Sequence, residues 1–356
     1  MQTTVPSKQL NVYGAITAKI VRGIQEAKGK FEMPWHTGGV PLLLPKNALT
    51  DNPYRGVNIL SLWLDATAKN YQTGHWASYK QWQSLGAQVR RGEHGSIIIF
   101  YKRIDQTELE KEAGELPRSI GRAYWIFNAA QVDNWKMPEP RQRSSVQIND
   151  EVAAFVEALD AKVDHGYGRA RYRIDLDRIE MPSPSWFHDT KTRSAFEGYH
   201  SVLLHELTHW SGASHRIGRD LGNRFGSEAY AAEELVAELG AAFLCAAFGI
   251  TNEPRQDHAA YVATWLKVLN DDPKAIFTAA SKAQEAIEYL GAVAGEKLGW
   301  LEAASVPVDR SAGIDGKASA SLYEDVSKGA AASRFGAIAQ RRRCVLVRRR
   351  APAPFA

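Results

Sequence analysis

Within residues 200–215 lies His205-Glu206-Leu207-Thr208-His209, which fits H-E-x-x-H. This pattern constrains the fold more than any other feature of the chain, because it works only on a helix. Residues i and i+4 share a helical face, so both imidazoles can reach one cation. Glu206 then sits beside that cation, where it can take a proton from a bound water. Val202, Leu203 and Leu207 supply the apolar face that such a buried helix needs. The reading is a helix over 192–213 with His205 and His209 as ligands of one zinc ion and Glu206 as general base.

A third ligand has two candidates. Glu234 lies in Ala232-Glu233-Glu234-Leu235-Val236-Ala237-Glu238-Leu239, followed by Gly240-Ala241-Ala242-Phe243-Leu244. This segment predicts a second helix over 228–249, whose small apolar face can pack closely on the first. Glu234 and Glu238 are again i, i+4, so one can bind metal while the other orients a ligating histidine. The alternative is His215, because residues 205–215 also fit H-E-x-x-H-x-x-G-x-x-H, with Gly212 at the turn. That longer pattern requires a methionine turn downstream, and no methionine follows Met181. Glu234 is therefore favoured, with His215 kept open. Glu233 reads as part of a solvated helix face. Tyr230, near the start of the second helix, is a candidate for oxyanion stabilisation beside a plain packing role.

The front of the chain has a different character. Residues 1–143 carry 19 Lys and Arg against 12 Asp and Glu, and residues 301–356 carry 10 against 5. With a net charge of only +4 over all 356 residues, the segment between them is acidic. A basic front suits a polyanion, and an acidic back suits a metal. Trp35, Tyr54, Trp63, Trp76, Tyr79 and Trp82 are interleaved with Arg55, Lys80, Arg90, Arg91, Lys102 and Arg103. Binders of single strands use this mixture, stacking bases on rings while cations follow the phosphates. Trp63, inside Ile59–Leu64, reads as core; Trp76, flanked by Gly74 and His75, reads as exposed.

Periodicity predicts a helix over 7–29, another beginning at Ile59, and a short one from Ser78 to near Gly86. Ser96–Tyr101 and Arg122–Phe127 read as strands and 104–118 as a charged surface loop. Pro138–Ser145 reads as a linker, followed by a helix over 150–160. Tyr172–Ile179 alternates like a single strand, and 256–291 reads as a helical pair broken near Pro273. The expected class is α+β: an amino-terminal α+β domain with a small antiparallel sheet (1–137), a linker (138–149), a mostly helical carboxy-terminal domain (150–299) and a disordered basic tail (300–356). No apolar run is long enough to span a membrane, and no secretory signal opens the chain. Two cysteines, Cys245 and Cys344, exclude a disulfide framework, with Cys245 read as a core residue; a reducing cytoplasm fits. The absence of a Walker-type loop or dinucleotide fingerprint leaves ATP-driven and hydride-transfer functions without support.

The back half resembles the zincin-type metallopeptidase domain of the plasmid antirestriction ArdC family. The match is carried by His205-Glu206-Leu207-Thr208-His209-Trp210, by Phe225-Gly226-Ser227-Glu228-Ala229-Tyr230-Ala231 and by Glu233 through Leu244. The front resembles that family's single-stranded-DNA-binding domain in Asn52-Pro53-Tyr54-Arg55-Gly56-Val57-Asn58, Trp76-Ala77-Ser78-Tyr79-Lys80-Gln81-Trp82 and Gly86-Ala87-Gln88-Val89-Arg90-Arg91-Gly92-Glu93. Similar domains occur fused to conjugative primases. The resemblance spans roughly 8–295. It implies single-stranded-DNA binding but does not say which ring touches a base; the candidate set is Trp35, Tyr54, Arg55, Asn58, Trp76, Tyr79, Lys80, Trp82, Arg90, Arg91 and Lys102. It also implies a zinc-dependent zincin-like fold and protection of incoming plasmid DNA. A host restriction enzyme or another protein is the expected substrate or partner. The rival readings are a DNA-binding module with a structural or catalytically idle metal, and a general zinc peptidase.

Overall fold

A computed structural model describes residues 12–27, 35–36, 42–103, 119–138, 143–221, 228–252 and 258–295. Among them, residues up to 99 and from 123 onward form one compact unit. Residues 100–103 and 119–122 belong to a second and form the ends of two strands. The expected loop 104–118, most of the linker's Pro-rich start and the tail after residue 295 lie outside the described residues.

Helix α1 (Val12–Ala27) buries Ile16, Ile20, Val21 and Ile24, the stripe that its periodicity predicts. Strand β1 (Lys46–Asn47) leads to α2 (Val57–Ala68), whose first seven residues are all buried. Strand β2 (His75–Ser78) runs into the short α3 (Tyr79–Ser84), closed by a reciprocal cap between Ser78 and Gln81. Then come β3 (Gln88–Val89), β4 (Ser96–Arg103), β5 (Ser119–Asn128) and β6 (Val132–Asp133). One sheet has the order β1-β2-β5-β4, and β3 pairs with β6. The class is α+β as expected, but this sheet is mixed: β1 joins β2 in parallel, whereas β2 joins β5 antiparallel. Parallel neighbours need a crossover, and α2 supplies it.

Helix α4 (Ser145–Ala158) starts five residues before the expected position. Ser144 and Gln147 form a capping box there, so the helix consumes part of the expected linker. The expected single strand at 172–179 is instead a hairpin. Strands β8 (Arg171–Arg173) and β9 (Arg178–Met181) pair antiparallel around a turn in which Asp177 takes φ 45°. β7 (Val163–His165) adds in parallel on the other side of β9. Alternation carries through such a turn, which hid the break.

Four helices complete the unit: α5 (Ala195–Ser211), α6 (Glu228–Phe248), α7 (His258–Asp271) and α8 (Ala275–Ala294). Among the described residues no helix is long and apolar enough to cross a membrane. Helices α5 and α6 are in very close contact. A Cβ on Gly240 would fall 2.6 Å from Thr208 Cγ2, so only glycine admits the approach. Cys245 is core, as expected, and burial raises the pKa of its thiol.

The front helices pack on this back layer. The rings of Trp63 on α2 and Phe243 on α6 lie 5.8 Å apart. Those of Tyr13 on α1 and Phe277 on α8 lie 4.8 Å apart. Thr17 Oγ1 donates to the carbonyl of Pro273 at 2.6 Å, and Gln284 accepts from the Gly56 N–H at 3.1 Å. Arg55 forms an ion pair with Glu288.

Candidate metal centre

Helix α5 also begins at a capping box, Ser194 with Glu197, and the other oxygen of Glu197 accepts from the Thr251 N–H at 2.9 Å. Those contacts fix the start of the helix that bears His205, Glu206 and His209. Burial opposes a charge on Glu197, yet the N–H donors of Ser194 and Thr251 hold its carboxyl below the usual range.

The two histidines face Glu234 on α6. His205 Nε2 lies 3.5 Å from Glu234 Oε2, and His209 Nε2 lies 3.7 Å from Oε1. One ligand atom from each of the three residues falls within 4.8 Å of the others. Two imidazoles and one carboxylate at that spacing could hold a divalent cation and leave a further position open, a donor set suited to zinc. Burial disfavours charge on Glu234, but His205, His209 and a hydrogen bond from Tyr230 drive its carboxyl well below the ordinary range. Burial also opposes charge on His209, and Glu233, Glu234 and Glu206 together overcome it and raise the pKa. The pocket is thus strongly acidic, the environment in which a cation is favoured. Glu206 is buried beside the ligands.

His215 does not join the cluster. Its side chain is 58% exposed and pairs with Asp177 at 3.2 Å, beyond the end of α5. Gly212 serves another purpose than a ligand-bearing turn. A Cβ there would fall 2.7 Å from Arg219 Nη2, so its lack of a side chain lets that guanidinium lie against the end of α5.

The expectation that Glu233 is solvated is corrected. It is buried, takes a 2.8 Å contact from Arg219 and faces His209 Nδ1 at 3.3 Å. Arg219 also donates to the Ser211 hydroxyl at 3.0 Å and to the carbonyl of Thr208. Arg219 was absent from the sequence reading; it lies beyond the end of the helix, where no periodicity points to it. Glu238, read as an orienting carboxylate, places Oε2 3.8 Å from His205 Nδ1.

The front surface departs further from expectation. Trp35, Tyr54, Asn58, Trp76 and Trp82 are buried, so none of these rings is a stacking platform, and the expected exposure of Trp76 is overturned. Trp82 donates to the carbonyl of Phe127 at 3.0 Å and lies edge-on to Trp135 in a cluster with Ala77, Val89 and Val132. Asn58 bonds both ways to the backbone of Ile99, at 2.9 and 2.8 Å. Tyr79, Lys80, Arg90 and Arg91 are exposed. Arg90 is engaged by Glu93 at 3.0 Å and Asp133 at 3.5 Å. An open depression of about 530 Å³ is lined by Tyr79, Phe127, Arg90 and Arg91 together with those two acids. The side chain of Lys102 lies outside the described residues. Tyr124 and Trp125 on β5, 43% and 52% exposed, were missed. β2 pairs with β5 only from Ile126 to Asn128, so the two preceding rings lie beyond its end.

A family model for the N-terminal domain of anti-restriction factor ArdC matches residues 10–138, and one for a zincin-like metallopeptidase matches 150–282. Crystal structures of the antirestriction protein ArdC from plasmid R388 match the fold. The metal-free form has TM-score 0.64 at 32% identity, covering 82% of this chain and 98% of that one. The Mn(II)-bound form has TM-score 0.63 at 35% identity, covering 80% and 99%. The chain belongs to the ArdC antirestriction family. An uncharacterized protein of Sinorhizobium fredii, y4eC, is 40% identical over 293 residues, covering 81% of this chain and 94% of its own length. A DNA primase TraC of Escherichia coli is 30% identical over 77% of this chain but only 19% of the primase. The ArdC-like region is thus a minor part of that larger enzyme.

Proposed function

We propose that this ArdC-family chain is a cytoplasmic antirestriction protein that binds single-stranded DNA through its front half and carries one zinc ion at His205, His209 and Glu234. The carrying observation is the convergence of those three ligand atoms within 4.8 Å beside Glu206. The Mn(II) bound in the R388 relative supports a divalent ion at such a centre. A zinc ion held by His205, His209 and Glu234 would polarise a scissile carbonyl and acidify water. Glu206 receives the proton and passes it to the leaving amine. Tyr230, whose side chain bonds to Glu234, stands at the edge of the centre as the candidate donor to a developing oxyanion. Peptide hydrolysis is the reaction such a centre would serve, with a host restriction enzyme or another protein as its substrate.

For DNA, the exposed set Tyr79, Lys80, Arg91, Tyr124 and Trp125 replaces the buried rings. Masking of the incoming strand is the favoured route to protection, because the exposed rings and cations of the front half suit a polyanion and no feature of the chain names a peptide. One experiment separates the two activities. Glu206→Ala should keep zinc, by elemental analysis, and single-stranded-DNA affinity, and should still protect incoming DNA in a transformation assay against an active restriction system. Joint loss of Tyr79, Arg91 and Trp125 should abolish protection and DNA binding while zinc is retained. A Glu206→Ala protein that binds DNA normally yet protects nothing makes hydrolysis the driver instead.

A further inference from the structure

Each histidine of the centre has a carboxylate on its far side, and each carboxylate is held by donors from elsewhere. Behind His209 stands Glu233, held by Arg219 from the segment just after α5. Behind His205 stands Glu238, and its donors come from far away in the chain. Trp35 Nε1 donates to Glu238 Oε1 at 3.2 Å, and His36 Nε2 meets the same oxygen at 2.5 Å. The sequence separations are 203 and 202 residues. Trp35 and His36 are 1% and 8% exposed, so both are enclosed within the body of the protein. Glu238 Oε1 meets both front residues, and its Oε2 lies at ion-pair distance, 3.8 Å, from His205 Nδ1.

We infer that Trp35 and His36 are positioning residues of the metal centre, holding through Glu238 the ring of His205. This rests on the assignment of His205, His209 and Glu234 as ligands. A carboxylate facing the non-ligating nitrogen of a histidine fixes the tautomer and the ring angle, and so sets the affinity for the ion. Two donors on one oxygen set the direction of the other. The consequence concerns the family's two matched segments: the one over 150–282 does not contain every group that shapes its own centre. Two of those groups lie within the segment over 10–138, which is read as the DNA-binding half. Trp35, expected on a DNA surface, therefore acts on the metal side.

The test uses the full chain and zinc alone, with cobalt as a spectroscopic substitute. His36→Leu should weaken zinc binding about 10–100-fold, the range for loss of such a partner. It should also alter the visible spectrum of the cobalt-loaded protein, which reports ligand geometry. His36→Gln, which retains an N–H donor, should recover most of the affinity. Trp35→Phe keeps a buried ring and removes only the N–H; it should weaken binding by a smaller factor in the same direction. It also decides the matter if His36→Leu does not fold. The melting temperature of each metal-free variant separates lost positioning from general loss of structure. Wild-type protein that binds zinc, with His36→Leu and Trp35→Phe binding equally well and giving an unchanged cobalt spectrum, overturns this inference alone. Wild-type protein that takes up neither ion overturns the ligand assignment and this inference with it.

Discussion

The metal centre and the aromatic front both bury large side chains, but for different physical reasons. In the centre, polar residues expected to meet were brought together: His205, His209 and Glu234 converge, with Glu238 beside them. In the front, rings expected to face outward form the core, with Trp35, Trp76 and Trp82 each at 1% exposure or less. The lesson concerns what a residue type commits to. Two histidines and four glutamates on helix faces turned inward are costly unless they serve one another or a cation, so their burial is itself specific. A tryptophan is as useful in a core as on a surface, and composition cannot distinguish the two.

The largest expected effect tests the front. Trp82→Ala should cost about 3–5 kcal/mol of stability, as for other large aromatics cut out of a packed core. The exposed Trp125→Ala should cost less than about 1 kcal/mol. Chemical denaturation of both decides it; equal losses would return Trp82 to the surface role first expected of it. A smaller effect tests the centre. Gly240→Val should cost about 2–3 kcal/mol, because its side chain would have to displace Thr208. It should also lower zinc affinity by separating Glu234 from the histidines. Loss of stability with unchanged affinity would show that the centre tolerates movement between α5 and α6.

The smallest effect concerns the start of α5. Glu197→Gln should cost about 1 kcal/mol at neutral pH, by weakening its bonds to the Ser194 and Thr251 N–H groups. The folded carboxyl sits below its unfolded value, so this contribution is complete above the unfolded pKa and is lost as pH falls through the folded one. The gap in melting temperature between wild type and Glu197→Gln should therefore close as pH falls below about 4. A gap that is constant down to pH 3 would mean that the carboxylate charge contributes nothing.

By itself, the sequence determined what one element can decide. The i, i+4 spacing puts His205 and His209 on one face, and the same spacing gives α6 both Glu234 and Glu238. Helical periodicity marked the core stripe of α1, and Gly240-Ala241-Ala242 marked the face of close approach. What needed three dimensions was every relation between elements. Glu233 looked solvated because nothing in the sequence indicates that Arg219 folds back beneath it. His215 looked eligible because a linear pattern cannot show that the chain leaves α5 with that ring pointed to Asp177. Tertiary structure likewise decided which rings are exposed: Trp125 on β5 is open to solvent, whereas Trp76 on the neighbouring β2 is buried. It also carried Trp35 and His36 across more than 200 residues to Glu238. Local geometry repeats within a helix and can be read from spacing. Contact between distant segments depends on how whole elements pack, and spacing holds no record of that.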